Sequence, residues 1–119
     1  QSLPHFDSQE NLLAQIAGQK IICLVGPLRS QAVYPYRKWG KPPNYSPVDF
    51  HSPEYARWPL FRDAGNRCLT MRPGDMLYIP SYWWHHVRSV ERNVAVNFWY
   101  TPASSLVSAI WRCIEHGSC

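Results

Sequence analysis

The feature that most constrains this chain's fold is a pairing of two distant places, His5-Phe6-Asp7 near the start and His85 near the end. Two imidazoles and one carboxylate form the facial ligand set that holds non-haem Fe(II) and leaves coordination positions open. On a β-strand, residues i and i+2 point to one side, so His5 and Asp7 aim at one ion. His85 can join them only from a distant strand folded back against the first. A barrel or sandwich does that; a local loop does not. Alone, a His-x-Asp triplet marks a surface or turn pair more often than a metal site, so its surroundings decide.

The surroundings predict a β-rich domain. Residues 3–7 read as a short strand carrying the triplet. Residues 11–16 and 20–25 read as two more, with Ala17-Gly18-Gln19 as the turn between them. Gly26-Pro27 ends the third. Residues 34–59 hold six of the eleven prolines, which fix φ and remove donors, so they read as a long surface excursion with one short helix near Pro53 to Trp58. Strands follow over 67–71, 76–79, 85–90 and 94–100, with Arg72-Pro73-Gly74-Asp75 as a tight turn. Residues 104–116 have helical spacing, capped by Ser104 or Ser105, with Leu106, Ile110, Cys113 and Ile114 on one face. The chain thus divides into a β domain over 1–102 and a terminal helix over 103–119.

At 119 residues there is room for one domain, and 45% hydrophobic content argues against disorder. Six Trp and seven Tyr suggest an aromatic core or an aromatic-lined cleft. The net charge of +4 is scattered, with Arg37, Lys38 and Lys41 as the only loose cluster, so a solvated loop is favoured over a nucleic-acid footprint. No apolar run approaches the ~20 residues of a membrane span. Cys23, Cys68, Cys113 and Cys119 show no Cys-x-x-Cys spacing, which argues against a structural zinc site. Cys23 reads as a small buried hydrophobe, and His51 and His116 read as surface histidines.

The chain resembles the JmjC domain, in the hydroxylase branch of the Fe(II)/2-oxoglutarate oxygenases. It is most similar to the cupin-type group that includes the hypoxia-inducible-factor asparaginyl hydroxylase. The likeness runs from Ser2 to Tyr100 and is densest in His5-Phe6-Asp7, in residues 11–20, in Val33-Tyr34-Pro35-Tyr36, in Val48-Asp49-Phe50 and from Pro73 to Tyr100. It implies a mainly β fold, a double-stranded β-helix (jelly-roll or cupin-like barrel), with further strands upstream and a C-terminal helix. It implies His5, Asp7 and His85 as metal ligands, with His86 turned away from the metal because strand neighbours face opposite ways. It implies Lys20 as the anchor for the distal carboxylate of 2-oxoglutarate, with Ser2 hydrogen-bonding the same group. Asn11 and Asn97 match a polar pair lining the pocket, and Trp99 an aromatic beside it. The implied activity is hydroxylation of a protein side chain, using Fe(II), O₂ and 2-oxoglutarate, which leaves as succinate and CO₂.

The chain departs from the family pattern in three places. It begins almost at the first ligand, so the resemblance implies a piece of a longer protein. Val25-Gly26-Pro27 replaces the commoner Phe-Pro-Pro. Asn44-Tyr45 stand where the asparaginyl hydroxylase has the Arg-Gln pair that grips its target amide, which puts asparagine as the substrate in question. Three alternatives stay open: a non-catalytic cupin-fold metal-binding or scaffold module, action on tRNA or on methyl-lysine, and a homodimer through Leu106, Ile110 and Ile114. The expected location is cytoplasmic or nuclear.

Overall fold

The structure, a computed structural model, describes residues 2–37 and 40–101. Six strands form two antiparallel three-stranded sheets. They are β1 (Glu10–Ala17), β2 (Lys20–Val25), β3 (Arg67–Met71), β4 (Met76–Ile79), β5 (Trp84–Ser89) and β6 (Val94–Tyr100). One sheet has the order β4-β1-β6 and the other β3-β2-β5. Strand bounds expected over 67–71, 76–79 and 94–100 coincide with those observed.

The expected strand over 3–7 is reduced to one residue, His5, which bridges both Tyr45 and His85. Pro4 has no N–H for a ladder, and its carbonyl accepts instead from the Ser46 N–H at 2.9 Å. The turn after β1 also differs from expectation. It does not close a hairpin, since β1 and β2 lie in different sheets; it carries the chain from one layer to the other. Gln15 holds this corner by donating from Nε2 to the carbonyls of Ala17 (2.8 Å) and Gly18 (3.2 Å). Gly18 sits at φ +67°, and a Cβ there would meet the Arg92 carbonyl and, at 2.7 Å, the Asn93 Cβ. Sequence pattern marks strand ends well, but which strands pair is decided by long-range packing.

Alternation along β2 sorts its side chains between two cores. Ile22 packs with Leu13 and Met71 between the sheets, joined by Leu24, Leu69, Leu77, Val87 and Ala95. Cys23 and Val25 face the other way, into a second cluster with Trp84, Val33, Val48, Phe50 and Phe61. That cluster lies beneath the proline-rich excursion, which two 3-10 turns flank, Pro27–Val33 before it and Pro59–Asp63 at its end. The first was not expected, and the second replaces the expected helix at 53–58. Prolines that stop a strand also fit the first position of such a turn, where no donor is needed. Full burial of a side chain the size of Phe50 or Phe61 stabilises by roughly 1.5–3 kcal/mol. The excursion is thus half of a core. Ser46, fully buried, ties it down by donating to the Val33 carbonyl (2.5 Å) and accepting from the Val48 N–H (3.1 Å).

The expected helix over 104–116, and with it the face read as a subunit contact, lies outside the described residues, as do Lys38 and Trp39. Among the described residues no helix is long and apolar enough to cross a membrane.

Candidate metal centre

His5 and His85 face each other across a two-residue antiparallel bridge. The His85 N–H donates to the His5 carbonyl (2.8 Å), and the His5 N–H to the His85 carbonyl (3.1 Å). The reciprocal pair fixes both backbones, so the rings leave their strands side by side with centroids 4.4 Å apart. Two residues on, the Asp7 carbonyl accepts from the Tyr82 N–H at 2.8 Å. This keeps the Asp7 side chain beside both rings. Asp7 Oδ2 is 3.5 Å from His85 Nε2 and 3.8 Å from His5 Nε2. Both gaps are shorter than two metal–ligand bonds of about 2.1 Å, and all three ligand atoms lie within 4.8 Å of one another, a grouping that could hold one ion.

The ring tautomers suit that role. His5 Nδ1 lies 2.7 Å from the Leu3 carbonyl oxygen, and His85 Nδ1 lies 3.0 Å from that of Trp83. A carbonyl can only accept, so each Nδ1 donates to it, and each Nε2 is the ring nitrogen turned toward Asp7. Such outer contacts orient metal-binding histidines. Contact with the His85 ring holds the Asp7 carboxyl below the usual carboxylate range, against an opposing push from burial. The carboxylate is therefore ionised and ready to ligate. His85 is 5% exposed, whereas His5 and Asp7 are half-buried, so the set is partly open to solvent.

The remaining expected residues are placed less uniformly. Lys20 begins β2 on the face that also carries Ile22 and Leu24, opposite Ser89 of β5 and Met71 of β3. It therefore shares the inner side of the sheet with His85, and no carboxylate among the described residues pairs with it. Asn11 is buried and donates from Nδ2 to Asn97 Oδ1 at 3.0 Å. Its own Oδ1 is buried without a hydrogen-bond partner, an acceptor that a ligand donor or water would satisfy. Trp99 stands opposite Asn11 on β6 but is 60% exposed, so it does not wall a closed pocket here. The Ser2 hydroxyl lies 3.4 Å from both the backbone nitrogen and the carbonyl oxygen of Val87.

His86 does point to the opposite face from His85. Its Nδ1 accepts from the Phe50 N–H (3.2 Å), and burial lowers its pKa to about 4. Two residues escaped the sequence reading. Tyr45 stacks on His5 at 5.1 Å with rings 22° from parallel. Asn44 donates from Nδ2 to the Phe6 carbonyl (3.0 Å). The pair that departs from the family pattern thus clamps the ligand segment. Forty residues of chain separate them from that segment, and no local signal announces the contact.

The sequence pattern of the cupin-like domain family matches residues 1–105. The chain is 35% identical over 97 residues to lysine-specific demethylase 8 of Xenopus tropicalis, a match covering 82% of this chain and 22% of that protein. It is 38% identical over 96 residues to tRNA wybutosine-synthesizing protein 5 of Homo sapiens, covering 80% and 29% respectively. The chain thus spans less than a third of the length of these relatives. Among solved structures it is similar to YcfD, a ribosomal oxygenase from Escherichia coli, with a TM-score of 0.50 and 16% identity over 98% of this chain and 25% of that one. At that identity the likeness is one of fold.

Proposed function

The chain belongs to the cupin-like, JmjC-type domain family, and from that premise we propose that it carries the metal-bearing β domain of an Fe(II)- and 2-oxoglutarate-dependent oxygenase that hydroxylates a protein side chain. The observation that carries this reading is the convergence of two Nε2 atoms on one carboxylate, with both Nδ1 atoms already engaged by backbone carbonyls. Bound there, Fe(II) would supply open positions for a keto acid and O₂. His5, Asp7 and His85 hold and orient the ion. Lys20 offers an ammonium on the inner face for the far carboxylate of the co-substrate; a flexible point charge suits that task. Asn11, with its unsatisfied acceptor, and Asn97 line the approach. The names of two relatives keep methyl-lysine and tRNA as alternative substrate classes.

One observation favours a second reading, a cupin-fold module that binds metal without turnover: Trp99 and Asn97 stand exposed, so the co-substrate side of the site is open. Anaerobic addition of Fe(II) and 2-oxoglutarate separates the two. The oxygenase reading expects the visible metal-to-ligand charge-transfer band of a chelated keto acid, its loss in His85→Ala, and succinate formation on admission of O₂. A folded protein that binds Fe(II) but gives neither band nor succinate would establish the non-catalytic module.

A further inference from the structure

β5 carries two adjacent histidines, and the second borders a cluster on the far face of its sheet. Cys68, Cys23 and His86 stand in one row across β3, β2 and β5, for Cys23 is in register with Cys68 on one side and His86 on the other. His51 descends onto this row from the proline-rich excursion. Its Nδ1 is 3.2 Å from Cys23 Sγ, and its ring centroid is 4.5 Å from that of His86. Sequence reading had left His51 on the surface and Cys23 as a plain apolar residue. Strand pairing across 45 residues joins Cys23 to Cys68 as a disulfide instead. The two sulfurs and a His51 ring nitrogen all lie within 4.8 Å of one another. The second ring nitrogen, Nε2, is buried with no hydrogen-bond partner. Cys23 is fully buried, whereas Cys68 is exposed on the edge strand.

A cross-strand brace needs no imidazole beside it. Two cysteine sulfurs under a histidine nitrogen are the soft donor set that selects tetrahedral ions such as Zn(II). We propose that Cys23, Cys68 and His51 form a second metal site, for a thiolate-binding divalent ion, which opens when the Cys23–Cys68 disulfide is reduced. The chemistry balances with a small-molecule thiol as reductant. Two of its thiols pass two electrons and two protons to the disulfide, leave as their own disulfide, and free Cys23 and Cys68 as thiols. The ion then displaces those two protons to solvent, and His51 contributes a neutral nitrogen. Exposure of Cys68 admits both reductant and ion. Since the same sulfurs serve both states, disulfide and metal exclude each other.

The test goes beyond the oxygenase reading and does not depend on it, because the His5–Asp7–His85 set contains no sulfur. Co(II) is added to the full chain carrying Cys113→Ser, Cys119→Ser and His85→Ala, so that a thiolate signal can come only from Cys23 and Cys68. After reduction by a phosphine we expect one equivalent of Co(II) to give an intense near-ultraviolet thiolate charge-transfer band and tetrahedral visible bands, bleached by Zn(II). Oxidised protein should give neither, and Cys68→Ser, at an exposed edge position that spares the core, should lose both. His51→Ala should weaken cobalt binding at least about tenfold. A reduced, folded chain without thiolate bands would mean a structural disulfide only and would overturn the proposal. Full bands surviving in Cys68→Ser, or an unchanged cobalt affinity in His51→Ala, would overturn the ligand set. Circular dichroism of each variant establishes folding.

Discussion

The two sheets are built from similar strands but buried very differently. Sheet β3-β2-β5 is covered on both faces, by the inter-sheet core on one side and the proline-rich excursion on the other, so Ile22, Cys23, Val25 and Trp84 are almost without exposure. Sheet β4-β1-β6 is covered on its inner face only. On its outer side Met76, Tyr78, Val96 and Phe98 are exposed, and along β6 so are Trp99 and Tyr100. The metal-site histidines bracket the covered sheet: His85 lies on β5 and His5 is bridged to it. Three of the expected co-substrate residues lie on the other sheet, Asn11 buried on β1 and Asn97 and Trp99 exposed on β6. A doubly packed sheet holds side chains within narrow limits, whereas a strand with one exposed face has less to fix its outer contacts. The difference separates a prearranged ligand set from an open wall.

The sharpest way to break this contrast is at the covered sheet. His85→Ala removes the deepest of three ligands, and the proposed function expects the Fe(II)–2-oxoglutarate band to vanish and turnover to fall by at least about 100-fold. The fold should survive, because the bridge to His5 is made by backbone atoms. Next in size is Trp84→Ala. The indole is 1% exposed, packs edge-on to Phe6 at 4.8 Å, and donates from Nε1 to Ser30 Oγ at 2.9 Å. Its loss leaves a cavity between sheet and excursion, with an expected cost of about 3–5 kcal/mol. Urea unfolding measures it. The matching truncation on the bare sheet, Phe98→Ala, should cost less than about 1 kcal/mol, since that ring is 54% exposed. Equal costs at the two positions would dissolve the contrast.

Much of the metal centre was legible in the sequence, for definite reasons. The two-residue period of β5 sends His85 and His86 to opposite faces, as chain geometry alone requires, whereas His5 and Asp7 come together without a regular strand, held by the bridge to His85 and by the Tyr82 N–H. Strand limits such as Arg67–Met71 followed from the turn residues around them. What could not be read depends on contacts between distant segments. Cys23 and Cys68 meet because β2 and β3 pair, and no spacing rule covers 45 residues. Tyr45 reaches His5 because Asn44 and Ser46 tie the excursion to the backbone of residues 4–6. The excursion itself looked like surface because proline denies it regular structure. Yet Val48 and Phe50 within it are buried, since irregular backbone packs apolar side chains as well as a strand does once its polar groups are satisfied.

The smaller predictions compare the two sheets as walls of one pocket. Lys20 begins β2 on the covered sheet, with its ammonium free of any described carboxylate. If it anchors the co-substrate, Lys20→Met should raise the KM for 2-oxoglutarate by roughly ten- to hundredfold, the worth of one charge-assisted hydrogen bond. An unchanged KM would remove Lys20 from the site. Asn97→Ala on the bare sheet should do far less. The residue is exposed, and its Oδ1 accepts one hydrogen bond from Asn11 Nδ2 that water can replace. Neutral bonds of this kind are worth about 0.5–1.5 kcal/mol, so KM should rise only a few-fold, at unchanged metal affinity in the anaerobic titration. A loss as large as that of Lys20→Met would mean that β6 closes over the co-substrate when it binds, and that the open wall belongs to the free protein alone.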